Sequence, residues 1–270
     1  KFGLFKNKVA NKNCFVLDFH GDIKATEVQQ LREEISTLLT VAQAEDEVIV
    51  RLESSGGMVH AYGLAAAQLA RIKEAGLHLT VCIDKVAASG GYMMACVADK
   101  ILAAPFAVVG SIGVVAQVPN FHDLLEKHDI DVEVFTAGKY KRTVTVFGEN
   151  TEEDKQKFQQ ELEETHKLFK DFVRKYRPNL DVEQVATGEH WYGEDAITRN
   201  LVDALQTSDS YILEKMTDSE LYAIQSRQKP TIAQKLGISQ AAQAVVATAI
   251  DKLPDALAKL ESAKMPMVKK

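Results

Sequence analysis

The sequence predicts an α/β fold in which strands and helices alternate. From residue 14 to about residue 136, short apolar runs typical of buried strands alternate with segments whose apolar residues recur at helical spacing. Turns rich in Gly, Ala and Ser follow several of these runs. The chain has 270 residues, 46% hydrophobic and 26% charged, so it has ordinary globular composition and is long enough to build a sizeable core.

The first half of the chain supplies most of the predicted sheet. Each predicted strand is a short, mainly apolar run, and these runs occupy residues 14–19, 47–52, 77–83, 100–104, 108–115 and 132–136. Helices are expected between them at residues 25–42, 58–75, 92–98 and 120–127. Residues 86–91 are predicted to form a turn of small residues between a strand and a helix.

The second half is predicted to be mainly helical. Residues 151–175 form a long charged helix, with Thr151 as a good N-cap ahead of three acidic residues and Pro178 as its stop. Shorter helices are expected at residues 182–186, 193–200 and 208–216. The composition changes after about residue 225, so residues 14–225 are predicted as one domain. Residues 226–270 are predicted as a linker and a helical, basic extension, which either packs on a neighbouring subunit or frays.

Charge and cysteine content exclude several classes of function. The 32 Lys and Arg residues stand against 38 Asp and Glu, a net charge of −6, which gives no general electrostatic reason to bind nucleic acid or anionic lipid. The three cysteines, Cys14, Cys82 and Cys96, are scattered, so they form neither a disulfide framework nor a metal-binding spacing. The longest uncharged run, residues 101–121, is interrupted by Pro and Gly and is better explained as buried strands broken by turns than as a membrane span.

Four polar or small-residue turns follow predicted strands, at residues 53–58, 87–92, 110–113 and 138–143. In open α/β sheets, the loops at the carboxyl ends of strands build the binding and catalytic sites. These four turns are therefore the candidate site. In the second of them, Ser89 is flanked by Ala88, Gly90 and Gly91, small neighbours that would let a substrate approach a serine nucleophile. The alternative is a tight packing turn without chemistry.

A serine nucleophile needs a base. None of the seven histidines lies in a small-residue turn, so a Ser-His-Asp triad is unsupported. Lys141 follows the predicted strand at 132–136, and burial among apolar side chains would lower the pKa of such a lysine toward the working range of a base. Lys139 and Arg142 are its rivals, and an ordinary solvated lysine is the alternative.

The Gly56-Gly57 turn can supply the third catalytic element. Main-chain N–H groups in a glycine turn can point at an oxyanion without obstruction by side chains. A phosphate-binding loop is excluded, because neither a Gly-Lys-Ser/Thr string nor a G-x-G-x-x-G string is present.

Taken together and in order, the strings at residues 51–57, 84–92, 98–100, 109–114 and 138–141 resemble the signal peptide peptidase A family of serine peptidases. The resemblance covers roughly residues 14–215. Residues 59–63 and 188–193 are most similar to one bacterial branch of that family. Each string alone is weak, and the ordered set is highly specific.

The resemblance implies a Ser/Lys dyad, with Ser89 as nucleophile, Lys141 as general base and Ser111 orienting the lysine. It also implies oxyanion N–H groups from Gly56 or Gly57, together with Gly90 beside the nucleophile. Ser55 stands where relatives commonly have Pro, so the turn is expected to be less rigid. The residues expected to line an apolar substrate pocket, with the core as their alternative role, are Met58, Val86 and Met93.

The resemblance further implies a fold of the crotonase/caseinolytic-protease type, with repeated β-β-α units in two stacked sheets. Relatives form ring-shaped homo-oligomers and are anchored in the membrane by an N-terminal helix that this chain lacks, so residues 1–13 are expected to be a lead-in after that anchor. The expected location is the bacterial inner membrane, with the catalytic domain on the periplasmic side. Peptides such as remnant signal peptides or misfolded periplasmic proteins are the implied substrates, without metal or organic cofactor.

Two other functions remain open at this point. A crotonase-like acyl-CoA enzyme would need carboxylates as acid and base in its pocket, and Glu53 and Asp84 are the nearest candidates. A non-catalytic scaffold of a membrane complex would use the turns only for packing between subunits.

Overall fold

A computed structural model of the chain describes residues 12–226. The predicted lead-in at residues 1–13 and the extension at residues 226–270 lie almost wholly outside this part of the chain, so both remain predictions. Between these limits the chain forms a mixed α/β domain, as the sequence predicts.

Nine strands lie within the described residues: β1 (Asn13–Gly21), β2 (Glu47–Ser54), β3 (His78–Ile83), β4 (Val86–Ala88), β5 (Lys100–Ala103), β6 (Val108–Gly110), β7 (His190–Tyr192), β8 (Ala204–Leu205) and β9 (Glu220–Ala223). The helices are α1 (Val28–Leu38), α2 (Val59–Glu74), α3 (Gly90–Ala95), α4 (His122–Glu126), α5 (Glu152–Tyr176), α6 (Val182–Val185), α7 (Gly193–Thr198) and α8 (Ser208–Lys215).

The centre of the sheet is parallel and buried on both faces. Strand β2 lies between β1 and β3, and β5 and β8 continue the sheet beyond β3. Val48, Ile49 and Val50 of β2 are fully buried. This explains why β2 reads as a nearly continuous apolar run rather than an alternating one.

The sheet forks at the end of β2. Its first part pairs with β3, ending at Arg51↔Cys82, and its last residue pairs with β4 through Ser54↔Ala87. Strands β6 and β7 extend the branch that starts at β4. The two sheets that the resemblance implies are therefore joined at β2 as two branches of one sheet. The physical reason is that β2, with eight residues, is long enough to pair with both branches.

Helices cover the two faces of the sheet unequally. On one face, the main core joins α1, α2 and α5 to the strands through residues such as Leu38, Leu69 and Phe169. On the other face, a smaller cluster packs Tyr211 of α8 against residues that include Cys14. Helix α5 begins with the predicted cap, in which the side chain of Thr151 accepts a hydrogen bond from the main-chain N–H of Asp154.

Some predicted elements differ from the structure. The strand predicted at residues 132–136 does not form, and Phe135 is 87% exposed there. Without a neighbouring strand or a core to cover it, an apolar run cannot satisfy its main-chain groups as a strand. The strand predicted at 108–115 ends at Gly110, and the turn predicted at 86–91 includes the short strand β4. Among the described helices, none has the length and apolar character needed to cross a membrane.

Candidate active site

Ser89 occupies a strained position between β4 and α3. Its φ of 51° and ψ of −117° lie in a region that residues with a side chain rarely adopt. The main-chain N–H of Ser89 donates to the carbonyl of Gly110 (2.8 Å), which anchors this turn to the end of β6. Backbone strain of this kind clusters at functional sites, where the surrounding structure maintains it.

Ser111 leaves the neighbouring strand at the same level. Strands β4 and β6 are parallel, and Ala88 is paired with Gly110, so Ser89 and Ser111 are the next residues of the two strands. Ser111 also has a positive φ, 50°, and its N–H donates to the carbonyl of Glu189 (2.6 Å). The structure therefore brings together the two serines that the sequence singles out.

The Gly56-Gly57 turn lies directly against the nucleophile turn. A Cβ added to Gly56, whose φ is +89°, would lie 2.7 Å from the Gly90 nitrogen and 2.8 Å from the Cβ of Ser89. A Cβ added to Gly57 would lie 2.1 Å from the carbonyl oxygen of Ile23. Neither position has room for a side chain, so glycine is required at both by close approach of the main chain.

Only some of the expected oxyanion donors are available. The N–H of Gly56 donates to the Oγ of Ser54 (3.0 Å), so the prediction that Gly56 supplies a free N–H is corrected. Within residues 12–226, no hydrogen bond is found from the N–H of Gly57 or of Gly90. These two N–H groups are the candidates for binding a negatively charged oxygen.

A cleft of about 830 Å³ gathers these groups. Ser89, Ser111, Gly56 and Gly57 all line it. Much of its wall is apolar, formed by Ile23, Met58, Val59, Val114 and Val115. Within the described residues, no hydrogen bond is found for the side-chain hydroxyl of Ser89 or Ser111, so both are available to a ligand or to a base.

The expected apolar pocket is only partly correct. Met58 is 42% exposed and lines the cleft. Met93, in contrast, is 6% exposed because it lies on the face of α3 that packs into the main core. Val86 begins β4, at the end of that strand away from Ser89, and is not among the described residues that line the cleft.

Lys141 lies outside the cleft in the single chain. Its side chain is exposed, and its main-chain N–H donates to the carbonyl of Gly138 (3.1 Å). The apolar burial expected of a general base is therefore not formed within the described residues. The neighbouring Lys139 forms an ion pair with Glu153 (2.9 Å), which raises the pKa of Lys139 and maintains its positive charge.

The carboxylates considered for acyl-CoA chemistry are engaged elsewhere. Glu53 forms an ion pair with Lys85 (2.9 Å), and Asp84 accepts hydrogen bonds from the N–H and the hydroxyl of Ser208 (2.8 and 2.5 Å). Both line a separate cavity of about 220 Å³ that includes neither Ser89 nor Ser111. Neither carboxylate is placed to act on a substrate in the larger cleft.

His166 of α5 is a cleft residue that sequence reasoning missed. It lines the cleft, and its Nε2 atom is buried and has no hydrogen-bond partner among the described residues. The sequence places His166 on a charged helix with the spacing of an ordinary surface residue, so no signal pointed to the cleft.

One surface group has the spacing of metal ligands. Ligand atoms of His122, Asp123 and Glu126 lie within 4.8 Å of one another on α4. These residues do not line the cleft, so they add nothing to its chemistry.

Comparisons with known proteins agree with this geometry. Residues 71–222 match the model described as "Peptidase family S49", and residues 5–69 match "Peptidase family S49 N-terminal". The chain is 64% identical over 227 residues to the "Probable protease SohB" of Haemophilus influenzae, covering 84% of this chain and 64% of that protein. It is 58% identical over 222 residues to the protein of the same name from Buchnera aphidicola, covering 82% and 66%. The chain thus spans about two thirds of the length of these relatives.

A solved structure shows the same fold at low sequence identity. A mutant of the "1510-N membrane-bound stomatin-specific protease" superposes with a TM-score of 0.53 at 12% identity, over 81% of this chain and 100% of that chain. This likeness confirms the predicted fold class.

Proposed function

The chain belongs to peptidase family S49, and from this premise we propose that it is a serine endopeptidase with Ser89 as nucleophile and Lys141 as general base. The observation that carries the proposal is the convergence of Ser89, Ser111 and the Gly57 turn on one cleft. A nucleophile, a second hydroxyl and two unoccupied N–H donors are the groups that acyl transfer requires.

The proposed chemistry follows from these positions. Lys141 takes the proton of the Ser89 hydroxyl as the oxygen attacks the peptide carbonyl carbon. The N–H groups of Gly57 and Gly90 stabilise the negative charge that develops on the carbonyl oxygen. The peptide C–N bond then breaks, the proton passes from Lys141 to the departing amine, and water hydrolyses the acyl-enzyme by the same route. Ser111, beside Ser89, orients the lysine.

Assembly of several copies is the second part of the proposal. Residues 114–150 expose large apolar side chains, which in a soluble protein mark a surface that another molecule covers. The most exposed of them are Val115 (91%), Phe135 (87%), Leu124 (53%) and Phe147 (52%). We assign this surface to a second copy of the chain in a ring-shaped homo-oligomer, and packing there would carry Lys141 from solvent into a cleft.

The apolar wall of the cleft supports extended peptides with apolar side chains as substrates, in keeping with remnant signal peptides or misfolded periplasmic proteins. The family resemblance supports a place at the bacterial inner membrane, with the cleft on the periplasmic side. No charged group of the described cleft, apart from His166 when protonated, would favour a charged substrate.

Labelling tests the nucleophile directly. We expect a fluorophosphonate to add once to the wild type, with the adduct mapped to Ser89 by mass spectrometry, and not to add to Ser89→Ala. Casein hydrolysis should be lost in the same variant while its circular dichroism spectrum is unchanged. Full hydrolysis by Ser89→Ala would disprove the assignment.

Mixing two inactive variants tests how the dyad is completed. If Lys141 enters the cleft of a neighbouring copy, Ser89→Ala mixed with Lys141→Ala should regain part of the activity after subunit exchange. If each copy supplies its own lysine, the mixture should remain inactive. Light scattering should show an oligomer in either case, and an active monomer would contradict the assembly proposal.

A further inference from the structure

We propose that Tyr62 and Ser54 are positioning residues that hold the oxyanion turn against the nucleophile turn. Neither side chain lines the cleft, so they would act only through the main chain that they bind. This inference rests on the proposed peptidase function, because it concerns the N–H groups assigned there to the oxyanion. Ser54 ends β2, and Tyr62 lies in the first turn of α2.

A chain of three hydrogen bonds connects Gly56 to Asp22. The N–H of Gly56 lies 3.0 Å from the Oγ of Ser54, which lies 2.5 Å from the hydroxyl of Tyr62, which lies 2.7 Å from the carbonyl oxygen of Asp22. The Tyr62 hydroxyl is a donor to Asp22, since a carbonyl can only accept. Tyr62 therefore accepts from Ser54, and Ser54 accepts from Gly56.

Each hydroxyl in this chain donates once and accepts once from the main chain or its neighbour. The only competing acceptor among the described residues is the carbonyl of Gly21, 3.3 Å from the Oγ of Ser54, a longer contact. Both side chains are buried, Tyr62 completely and Ser54 to within 2%. Burial raises the pKa of Tyr62, so its hydroxyl keeps the proton that the chain needs.

The ring of Tyr62 braces the other half of the site. A Cβ added to Gly90 would lie 2.4 Å from the Cγ of Tyr62, and one added to Gly91 would lie 2.5 Å from the carbonyl oxygen of Ser54. The ring thus packs against the residue that follows Ser89, while its hydroxyl secures the Gly56 turn. One side chain contacts both elements that carry the proposed oxyanion donors.

The need for such a tether follows from the two adjacent glycines. Gly56 and Gly57 have few steric limits of their own, so the turn would sample several conformations if nothing fixed it. Fixing the N–H of Gly56 fixes the peptide plane before it and limits the orientation of the next plane, which carries the N–H of Gly57. Hydrogen bonds weaken steeply as their angle departs from linear, so a tilted plane would stabilise the oxyanion poorly.

Three variants and a matched control test this role. Tyr62→Phe removes the acceptor of the Ser54 proton but keeps the ring against Gly90, and Ser54→Ala removes the acceptor of the Gly56 N–H. For casein hydrolysis we expect kcat to fall about 10-fold in each, less than the loss of a whole oxyanion donor, with KM within about twofold. Because both residues act through one chain, the double variant should lose little more than the worse single variant.

Tyr211→Phe is the control. Tyr211 is also buried, and its hydroxyl bonds to the Oε1 of Glu47 (2.7 Å) on the other face of the sheet. It loses a hydrogen bond of the same kind as Tyr62→Phe, so both should lower the melting temperature. Only Tyr62→Phe should lower kcat.

Hydrogen exchange of the peptide covering residues 53–58 separates this inference from the proposed function. We expect exchange there to be faster in Tyr62→Phe and unchanged in Tyr211→Phe, whether or not casein is cleaved. If the wild type shows no Ser89-dependent hydrolysis, the proposed function fails, and exchange alone decides whether Tyr62 fixes the turn. Unchanged exchange in Tyr62→Phe, or faster exchange with wild-type kcat, would overturn the positioning role.

Discussion

Ser89 and Ser111 are linked through their main chains, because the N–H of Ser89 donates to the carbonyl of Gly110, the residue before Ser111 (2.8 Å). Both serines have a φ close to +50°. A residue with a side chain in such a conformation is strained by about 1–3 kcal/mol. The fold therefore holds two strained serines side by side at the floor of the cleft, and most predictions below concern them or their neighbours.

Strain at Ser89 predicts an order of stability between two inactive variants. Ser89→Gly should be more stable than Ser89→Ala by about 1 kcal/mol, because glycine adopts the positive φ freely and alanine does not. Urea unfolding of both variants measures the difference, and neither should hydrolyse casein. Equal or reversed stabilities would show that the turn relaxes when the serine is replaced.

The two lysines of the 138–143 turn should differ sharply in function. Lys141→Met should abolish casein hydrolysis, since the proposed base is lost. Lys139→Met should keep activity within about twofold, because Lys139 is exposed and paired with Glu153. Initial rates at saturating casein compare them, and loss of activity in Lys139→Met alone would exchange the two assignments.

Thiol reagents should not inhibit the protein. Cys14, Cys82 and Cys96 are fully buried, and burial raises the pKa of each thiol to about 12. The reactive thiolate is therefore scarce at neutral pH. Iodoacetamide should label no cysteine in the folded protein and all three in urea. Rapid labelling of the native protein would contradict the described packing.

Acid should weaken the attachment of α8 through Glu47. Burial alone would raise the pKa of Glu47, but hydrogen bonds from Lys215, Thr80 and Tyr211 outweigh it and lower that pKa below its ordinary value of 4.5. A carboxyl with a lowered folded pKa stabilises the fold above its unfolded pKa, and that contribution is lost as pH falls through the folded value. Stability should therefore decline below about pH 4.5, less steeply in Glu47→Gln. Urea midpoints from pH 3 to 7 would show parallel curves if Glu47 plays no part.

His166→Leu should not destabilise the protein. An unpartnered buried polar atom costs about 1–3 kcal/mol, and leucine removes it without leaving a donor or acceptor unpaired. The melting temperature of His166→Leu should equal or exceed that of the wild type. A decrease of several degrees would mean that the Nε2 of His166 has a partner in the assembled protein.

Local patterns predicted the parts of the fold that depend on local patterns. The apolar runs located β1, β2, β3 and β5 nearly to their ends, and the Thr151 cap located the start of α5. The short strands β7, β8 and β9 have two to four residues each, too few to show a periodicity. Residues 132–136 have a strand-like composition, but pairing partners decide whether a strand forms, and those are not encoded locally.

The candidate site divides in the same way. Ser89, Ser111 and the glycine turn could be found because small residues at strand ends leave a readable pattern. Ser54, Tyr62 and His166 could not, since their importance lies in contacts with residues distant in the sequence. The same is true of the N–H in the glycine turn that Ser54 binds, because sequence spacing alone does not orient that side chain.

The forked sheet has a mechanical consequence. The nucleophile turn and the glycine turn hang from β4 and β2, the two strands joined at Ser54↔Ala87, so their spacing is set at the joint and not at the rim of the sheet. Breathing of β7, β8 or β9 at the periphery would leave that spacing almost untouched. The outer strands and the 114–150 segment are thus free to diverge in length and sequence, and to adapt to new neighbours, without retuning the centre.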